Sequence, residues 1–169
     1  MALRSNHYDF AFQEYLRVTR TPHIVVDESR RALLEEASLK SMDFIVYSPR
    51  GRNLLVDVKG RKFPSGGDGR GPKWENWATR DDIQSLLRWQ EVFGGDFRAA
   101  LVFAYQLTDE RCRAELVRPF ACRQRTYAFY VIWADEYRRR MRRRSESWQT
   151  VCLPRRDFRE LCLPIAEFL

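Results

Sequence analysis

Two aspartates and a lysine carry the chemistry this 169-residue sequence offers most plainly. Asp43 stands near the start of the run Met42-Asp-Phe-Ile-Val-Tyr47, and Asp57-Val58-Lys59 ends the run that begins at Asn53. Between them, Ser48-Pro-Arg-Gly-Arg52 is turn chemistry, so the pattern predicts a β-hairpin. A turn centred on Arg50 sets Tyr47 against Asn53, Ile45 against Leu55 and Asp43 against Asp57. Side chains alternate along strands, which puts Phe44, Val46, Leu54, Val56 and Val58 on one apolar face. Asp43, Ile45, Leu55, Asp57 and Lys59 share the other. Directly opposed residues have Cβ atoms about 4.5–5.5 Å apart, and like charges so placed are destabilising. A cation between the carboxylates removes that penalty. Mg2+ or Mn2+ suits the position, because both prefer hard oxygen ligands and retain waters and substrate oxygens. Lys59 would then stand beside the metal, able to orient an attacking water and to stabilise charge developing on a phosphate. The backbone carbonyl of Val58 is a further candidate ligand. The competing reading makes Asp57 and Lys59 a surface ion pair and Asp43 a strand-end turn residue. The apolar residues around Asp57 contradict a strand lying on a surface edge, although a β-bulge would shift the register.

The surrounding elements must hold this hairpin. From His7 to Thr19, the positions Tyr8, Ala11, Phe12, Tyr15 and Thr19 fall at helical spacing, with Asp9, Gln13 and Arg17 on another stripe. Thr21-Pro22 stops the helix, and His23 to Asp27 predicts a strand. Arg61 to Lys73 is rich in Gly, Pro and charge and reads as a loop. Thr79 followed by Asp82 has the form of a helix cap with an acid three residues on. The helix it opens carries Ile83, Leu86, Leu87 and Val92 and ends at Gly94-Gly95. Strands are expected at Arg98–Leu107 and Tyr127–Trp133, then a basic helix over Asp135–Arg144. A β-like piece at Gln149–Leu153 and a short helix at Arg155–Leu161 close the chain. The order α-β-β-β-α-β-β describes a mixed α/β fold in a single domain spanning residues 1–169.

With these residues in order, residues 7 to 107 resemble the PD-(D/E)xK nuclease superfamily. A helix bearing an acid, Asp43 at a strand start, Asp57-Val58-Lys59 on the next strand, then a helix and a strand carry the likeness. The opening His7-Tyr-Asp-Phe-Ala-Phe-Gln13 resembles the bacterial HYExAFE family, a label without a function attached. The resemblance implies a restriction-endonuclease-like core, α-β-β-β-α-β, whose mixed sheet is flanked by helices, with C-terminal strand and basic-helix additions. It also implies a metal-dependent nuclease with Asp43 and Asp57 as metal ligands and Lys59 as the catalytic lysine. Met42 stands where the superfamily often has proline. Of the first-helix residues Asp9, Gln13 and Glu14, Glu14 is favoured as the acid, with Gln13 as a weaker ligand or water-positioning group. Many such nucleases pair to cut two strands, which makes a homodimer one expected arrangement.

Further candidates are contacts to nucleic acid. Arg61, Lys62, Arg70 and Lys73 place positive charge just after Lys59. Trp74 and Trp77 could stack on bases, although tryptophans flanking such a loop more often anchor it to the core. Gln84 lies on the second helix as a candidate polar contact or a solvated residue. The run containing Arg138, Arg139, Arg140, Arg142, Arg143 and Arg144 suits phosphate contacts without sequence readout. A solvated face or an acidic protein partner is the alternative for it. Arg138 and Arg142 are its chosen members. His7 reads as a structural histidine rather than a base.

Composition narrows the class. A 44% hydrophobic fraction predicts a folded domain, and a formal charge of +7 with a pI near 9.5 favours polyanionic partners. The four cysteines form no C-x-x-C pair and only two histidines accompany them, which argues against zinc. No apolar run approaches the ~18 residues of a membrane span, and no signal peptide is evident. A reduced, cytoplasmic protein is the expectation, with nucleic acid, DNA before RNA, as partner and no organic cofactor. The alternative function is a catalytically inactive nuclease-fold protein that binds nucleic acid or a protein through its basic surface.

Overall fold

The structure, a computed structural model, describes residues 6–27, 32–34, 37–66 and 73–169. Helix α1 (His7–Val18) starts at Asn6, whose side chain caps the Tyr8 N–H, and ends at Thr19, whose hydroxyl returns to the carbonyls of Tyr15 and Leu16. Strands β1 (His23–Val25), β2 (Ala32–Leu34), β3 (Ala37–Leu39), β4 (Phe44–Val46) and β5 (Asn53–Phe63) follow. Next come β6 (Ala78–Thr79), α2 (Arg80–Phe93) and β7 (Phe97–Leu107). After a 3-10 turn at Glu110–Glu115, the chain forms β8 (Phe120–Cys122), β9 (Arg125–Trp133) and α3 (Ala134–Arg140). It closes with β10 (Arg142–Ser145), β11 (Thr150–Cys152), α4 (Arg155–Leu161), β12 (Leu163–Pro164) and a 3-10 turn at Ile165–Glu167.

The main sheet runs β1-β4-β5-β7-β9-β12, with β8 also on β9. Strands β4 and β5 form the expected hairpin in the expected register, Phe44 opposite Val56 and Val46 opposite Leu54. Strand β7 lies parallel to β5 along its whole length, from Asn53 beside Phe97 to Phe63 beside Leu107, after α2 has crossed over. Parallel pairing of this kind needs both faces covered, and both are. Ala11, Phe12 and Leu16 of α1 pack on Phe44, Val46, Leu54, Val56 and Val58. On the other face, Ile83, Leu86 and Leu87 of α2 pack with Met42, Leu55, Leu101 and Phe103. Burying each large side chain contributes about 1.5–3 kcal/mol. The alternation predicted for the hairpin is therefore the division between two cores, and it puts Asp57 and Lys59 on the α2 side. Helix α2 opens with a capping box between Thr79 and Asp82 and stops at Gly94, whose φ of 87° disfavours a side chain.

Several predicted boundaries shifted by a residue or two, and two moved by four. Strand β5 continues to Phe63 rather than giving way to a loop at Arg61, because β7 offers a partner for every residue to that point. The basic helix ends at Arg140 instead of Arg144. Met141 takes extended angles, and Arg142 and Arg143 pair with Cys152 and Val151 across an antiparallel ladder. Strand β11 also pairs with β6, forming a small sheet, β10-β11-β6, that leads directly into α2.

Candidate active site

Strand β5 brings Asp57 and Lys59 to the α2 face, and the N-terminus of α2 meets them there. The Lys59 ammonium lies 2.9 Å from Asp57 Oδ1 and 2.9 Å from Asp82 Oδ2. Asp82 in turn binds Lys40 through Oδ1 at 2.6 Å while accepting the Thr79 backbone N–H at 2.9 Å. Lys40 is itself fixed to α2: its N–H donates to Ser85 and its carbonyl accepts the Trp89 indole N–H. Two carboxylates and two ammonium groups thus form one chain, Asp57–Lys59–Asp82–Lys40.

Asp43 joins from the neighbouring strand by a route the alternation did not foresee. Its backbone N–H bonds the carbonyl of Val56, the residue opposite Phe44. Asp43 itself stands just before β4, outside the ladder that pairs β4 with β5. Its carboxylate Oδ2 instead accepts the Val58 N–H at 2.6 Å, which holds it against the Asp57–Val58 peptide. Asp43 is 7% exposed, and the side chains of Asp57 and Lys59 are 14% and 16% exposed.

Burial sets the electrostatics. Desolvation raises the Asp57 carboxyl above its ordinary pKa; Lys59 opposes that rise and the charge of Asp82 adds to it. For Lys59, desolvation alone would lower the pKa, but Asp57 and Asp82 together outweigh it and hold the ammonium charged. Desolvation likewise works against ionised Asp82, and is overcome by Lys59, Lys40 and the Thr79 N–H, so its pKa is depressed. An ammonium has three N–H donors. Two of those of Lys59 go to Asp57 and Asp82, and the third has no partner among the described residues.

The other predicted residues divide. Glu14 is half-buried and pairs with Arg17 at 2.8 Å, one turn along the same helix. The inward face of α1 carries Asp9, together with Phe12 and Leu16. Gln13 is partly buried on the same helix. Tyr8, next to Asp9, lays its ring on Gly60, the residue after Lys59. Arg61 is buried, donating to the carbonyls of Gly60 and Trp77 with its guanidinium 4.0 Å from the Trp77 ring centroid, so it is not open to a polyanion. Trp74 packs on Phe63 at 3.9 Å and on Tyr105, and anchors its loop to the core. Lys73 is exposed and paired with Glu115. Lys62, Gln84, Arg138 and Arg142 are exposed, whereas Arg70 lies outside the described residues. His7 bonds the Tyr127 hydroxyl at 2.9 Å, a structural role.

Asp82 and Lys40 are the residues that sequence reasoning missed. Asp82 had a sufficient role as the third residue of a capping box, and Lys40 belongs to no pattern. Among the described residues, no three of His, Cys, Asp and Glu gather into a group able to hold a metal. A structural zinc site, which needs four such ligands, is not matched there. Mg2+ asks less: one or two carboxylates, with waters and substrate phosphates filling the remaining positions. Asp43 and Asp57, held on either side of one peptide, fit that requirement.

Comparison with known proteins supports the fold. No protein-family model matches the sequence, and no curated protein matches it. The structure is similar to that of Hjc, a Holliday junction resolvase from the archaeal hyperthermophile Archaeoglobus fulgidus. The TM-score is 0.52 at 16% sequence identity, covering 95% of this chain and 96% of that one. Hjc has the PD-(D/E)xK, restriction-endonuclease-like fold, and the mixed sheet flanked by helices described above is that fold. No helix among the described residues is long and apolar enough to cross a membrane.

Proposed function

We propose that this chain, built on the restriction-endonuclease-like fold, is a Mg2+-dependent nuclease that hydrolyses phosphodiester bonds, in DNA before RNA. The observation that carries the reading is the convergence of Asp43, Asp57 and Lys59 at one point of β5, with Asp82 holding the lysine from behind. Asp43 and Asp57, with the Val58 carbonyl, would hold Mg2+ (or Mn2+), which when bound supplies Lewis-acid stabilisation of charge on the phosphate. Lys59 presents its third N–H to the attacking water or to a phosphate oxygen. Because Asp57 and Asp82 keep it protonated and fix its position, it stabilises developing negative charge without reorganising. Asp9, on the buried face of α1, is the first-helix acid of this reading. The net charge of +7 draws a polyanion toward the molecule.

One observation favours a second reading, a nuclease fold that binds nucleic acid without cutting it. Lys59 is already neutralised by two carboxylates, as a purely structural lysine would be.

The test is incubation of purified protein with supercoiled DNA, single-stranded DNA, RNA and, because Hjc is a Holliday junction resolvase, a four-way DNA junction. Each is run with Mg2+, with Mn2+ and with EDTA, beside Lys59→Ala. Cleavage that needs metal and falls about 100- to 1,000-fold in the variant, the usual effect of removing one such donor, is the expected result. Binding without cleavage under every condition moves the assignment to the second reading.

A further inference from the structure

The β10–β11 hairpin carries features that the hairpin at Asp43–Lys59 does not explain. At its tip, Trp148 is 77% exposed, so its indole adds almost nothing to either core. The tip is nonetheless well defined. The Trp148 N–H donates to the Ser145 hydroxyl at 3.4 Å, and the Gln149 N–H and side-chain amide both donate to the Glu146 carbonyl, at 3.1 and 2.9 Å. Gln149 adopts φ 48°, a left-handed conformation that a non-glycine residue takes at a cost. The chain therefore accepts strain in a turn that presents a large aromatic ring to solvent. Along the strand behind it, Arg142, Arg143 and Arg144 are all exposed. Arg143 pairs with Glu146, Arg144 lies 5.3 Å from the Trp77 ring, and Arg142 has no ion-pair partner among the described residues.

The location of this arm is the second observation. Thr150 lies opposite Thr79, and the Gln149 carbonyl accepts the Arg80 N–H at 3.0 Å, so the tip is fastened to the first turn of α2. Two residues later on that turn, Asp82 holds Lys59. The exposed ring and the arginines are thus borne by a hairpin fastened to the helix turn that carries Asp82.

We propose that the β10–β11 hairpin is a strand-engaging arm: Trp148 stacks on an unpaired base while Arg142, Arg143 and Arg144 contact phosphates of the same strand. The inference rests on the reading above only in taking nucleic acid as the ligand. A nucleic-acid strand offers, at every nucleotide, both a phosphate for the guanidiniums and a π-face for the indole. Stacking on bases is sequence-tolerant and its loss costs about 5- to 150-fold in affinity per base.

The experiment measures binding of the full chain in EDTA, which separates binding from cleavage. Fluorescence anisotropy reads a labelled single-stranded oligothymidylate and a fully paired duplex of equal length, at several salt concentrations. Trp148→Ala is expected to weaken single-strand binding by about 5- to 150-fold, with Trp148→Phe retaining most of the affinity and the duplex much less affected. Arg142→Gln with Arg144→Gln should reduce the slope of log affinity against log salt by about 1.4, at ~0.7 per phosphate contact on single strands. Because Trp148 is exposed, its variants should keep the wild-type melting temperature. Wild-type affinity in Trp148→Ala overturns the proposal. So does displacement of the strand by polyglutamate of equal charge, which would assign the arm to an acidic protein. Trp148-dependent binding in a protein that never cuts removes the nuclease reading and leaves the arm standing.

Discussion

Gly60 sits between the candidate active site and α1, and replacing it by alanine tests how tightly the two are joined. A Cβ at this position would lie 2.1 Å from Tyr8 Cδ2, 2.3 Å from Cγ and 2.6 Å from Cε2. Carbon atoms in ordinary contact are about 3.5–4.0 Å apart, so the ring must retreat by roughly 1.4 Å or more. The strand cannot yield instead, because Gly60 is paired with Ala104 in the middle of the parallel β5–β7 ladder. The ring is also hemmed in, with His7 at 3.9 Å and Tyr127 edge-on at 6.2 Å. Overpacking of this kind costs about 1–3 kcal/mol, and a chain of this size loses ~2–4 °C in Tm per kcal/mol. Gly60→Ala should therefore melt roughly 2–12 °C below wild type, by the same conversion. Urea unfolding of Gly60→Ala, Tyr8→Ala and the double variant completes the cycle. With the ring removed the added methyl has room, so the double variant should be more stable than the sum of the single effects predicts, by at least about 1 kcal/mol. A Gly60→Ala stability within about 0.5 kcal/mol of wild type, or an additive cycle, refutes the tight contact and with it the firm seating of α1 beside Lys59.

Asp82→Asn keeps an acceptor for the helix cap but gives up the charge shared with Lys59 and Lys40, and should cost about 1–3 kcal/mol at neutral pH. Because the Asp82 pKa is depressed in the folded chain, its contribution is present above the ordinary carboxylate value of about 3.9 and is lost as pH falls below it. Urea unfolding should thus show wild type and Asp82→Asn converging in acid. In a cleavage assay, Glu14→Ala should leave the rate within about twofold of wild type, while Asp9→Asn should lower it about tenfold or more, in keeping with the loss of a positioned acid group. The reverse order would restore Glu14 as the first-helix acid. Trp74→Ala should destabilise the fold by about 3–5 kcal/mol, read by thermal melting, because its ring fills a cluster with Phe63, Tyr105 and Tyr130.

The local signals in the sequence were strong where short-range chemistry dictated the outcome. The β4–β5 register followed from a turn at Arg50 and an unbroken apolar alternation, and the Thr79–Asp82 cap followed from two side chains three residues apart. The departures came from distant partners. Nothing near Arg142 announces a strand; it becomes one because Cys152 and Val151 stand ready to pair. Arg61 reads as a charged loop residue until β7 extends the strand and Trp77 closes over the guanidinium. Asp43 stands outside the β4–β5 ladder and is held by the Val58 N–H, a side-chain-to-backbone bond that an alternating pattern does not encode. Lys40 enters the site only through α2, more than forty residues away along the chain. Among the first-helix candidates Asp9, Gln13 and Glu14, helical spacing alone does not say which is buried; in the fold it is Asp9.

The route by which the site comes together has a consequence for folding order. The β4–β5 hairpin closes over a short turn, so Asp43, Asp57 and Lys59 can meet early, at little entropic cost. Asp82 and its helix arrive only when β7 finds β5 in parallel, a pairing that joins Asn53 to Phe97 across the whole crossover. Such non-local parallel contacts form slowly. Until they form, Lys59 has only Asp57 as its partner, and the hairpin is a site in outline without its brace. The bracing of Lys59 and completion of the β5–β7 pairing are then one event, so a chain stalled before the crossover should have a lysine that is present but not yet held.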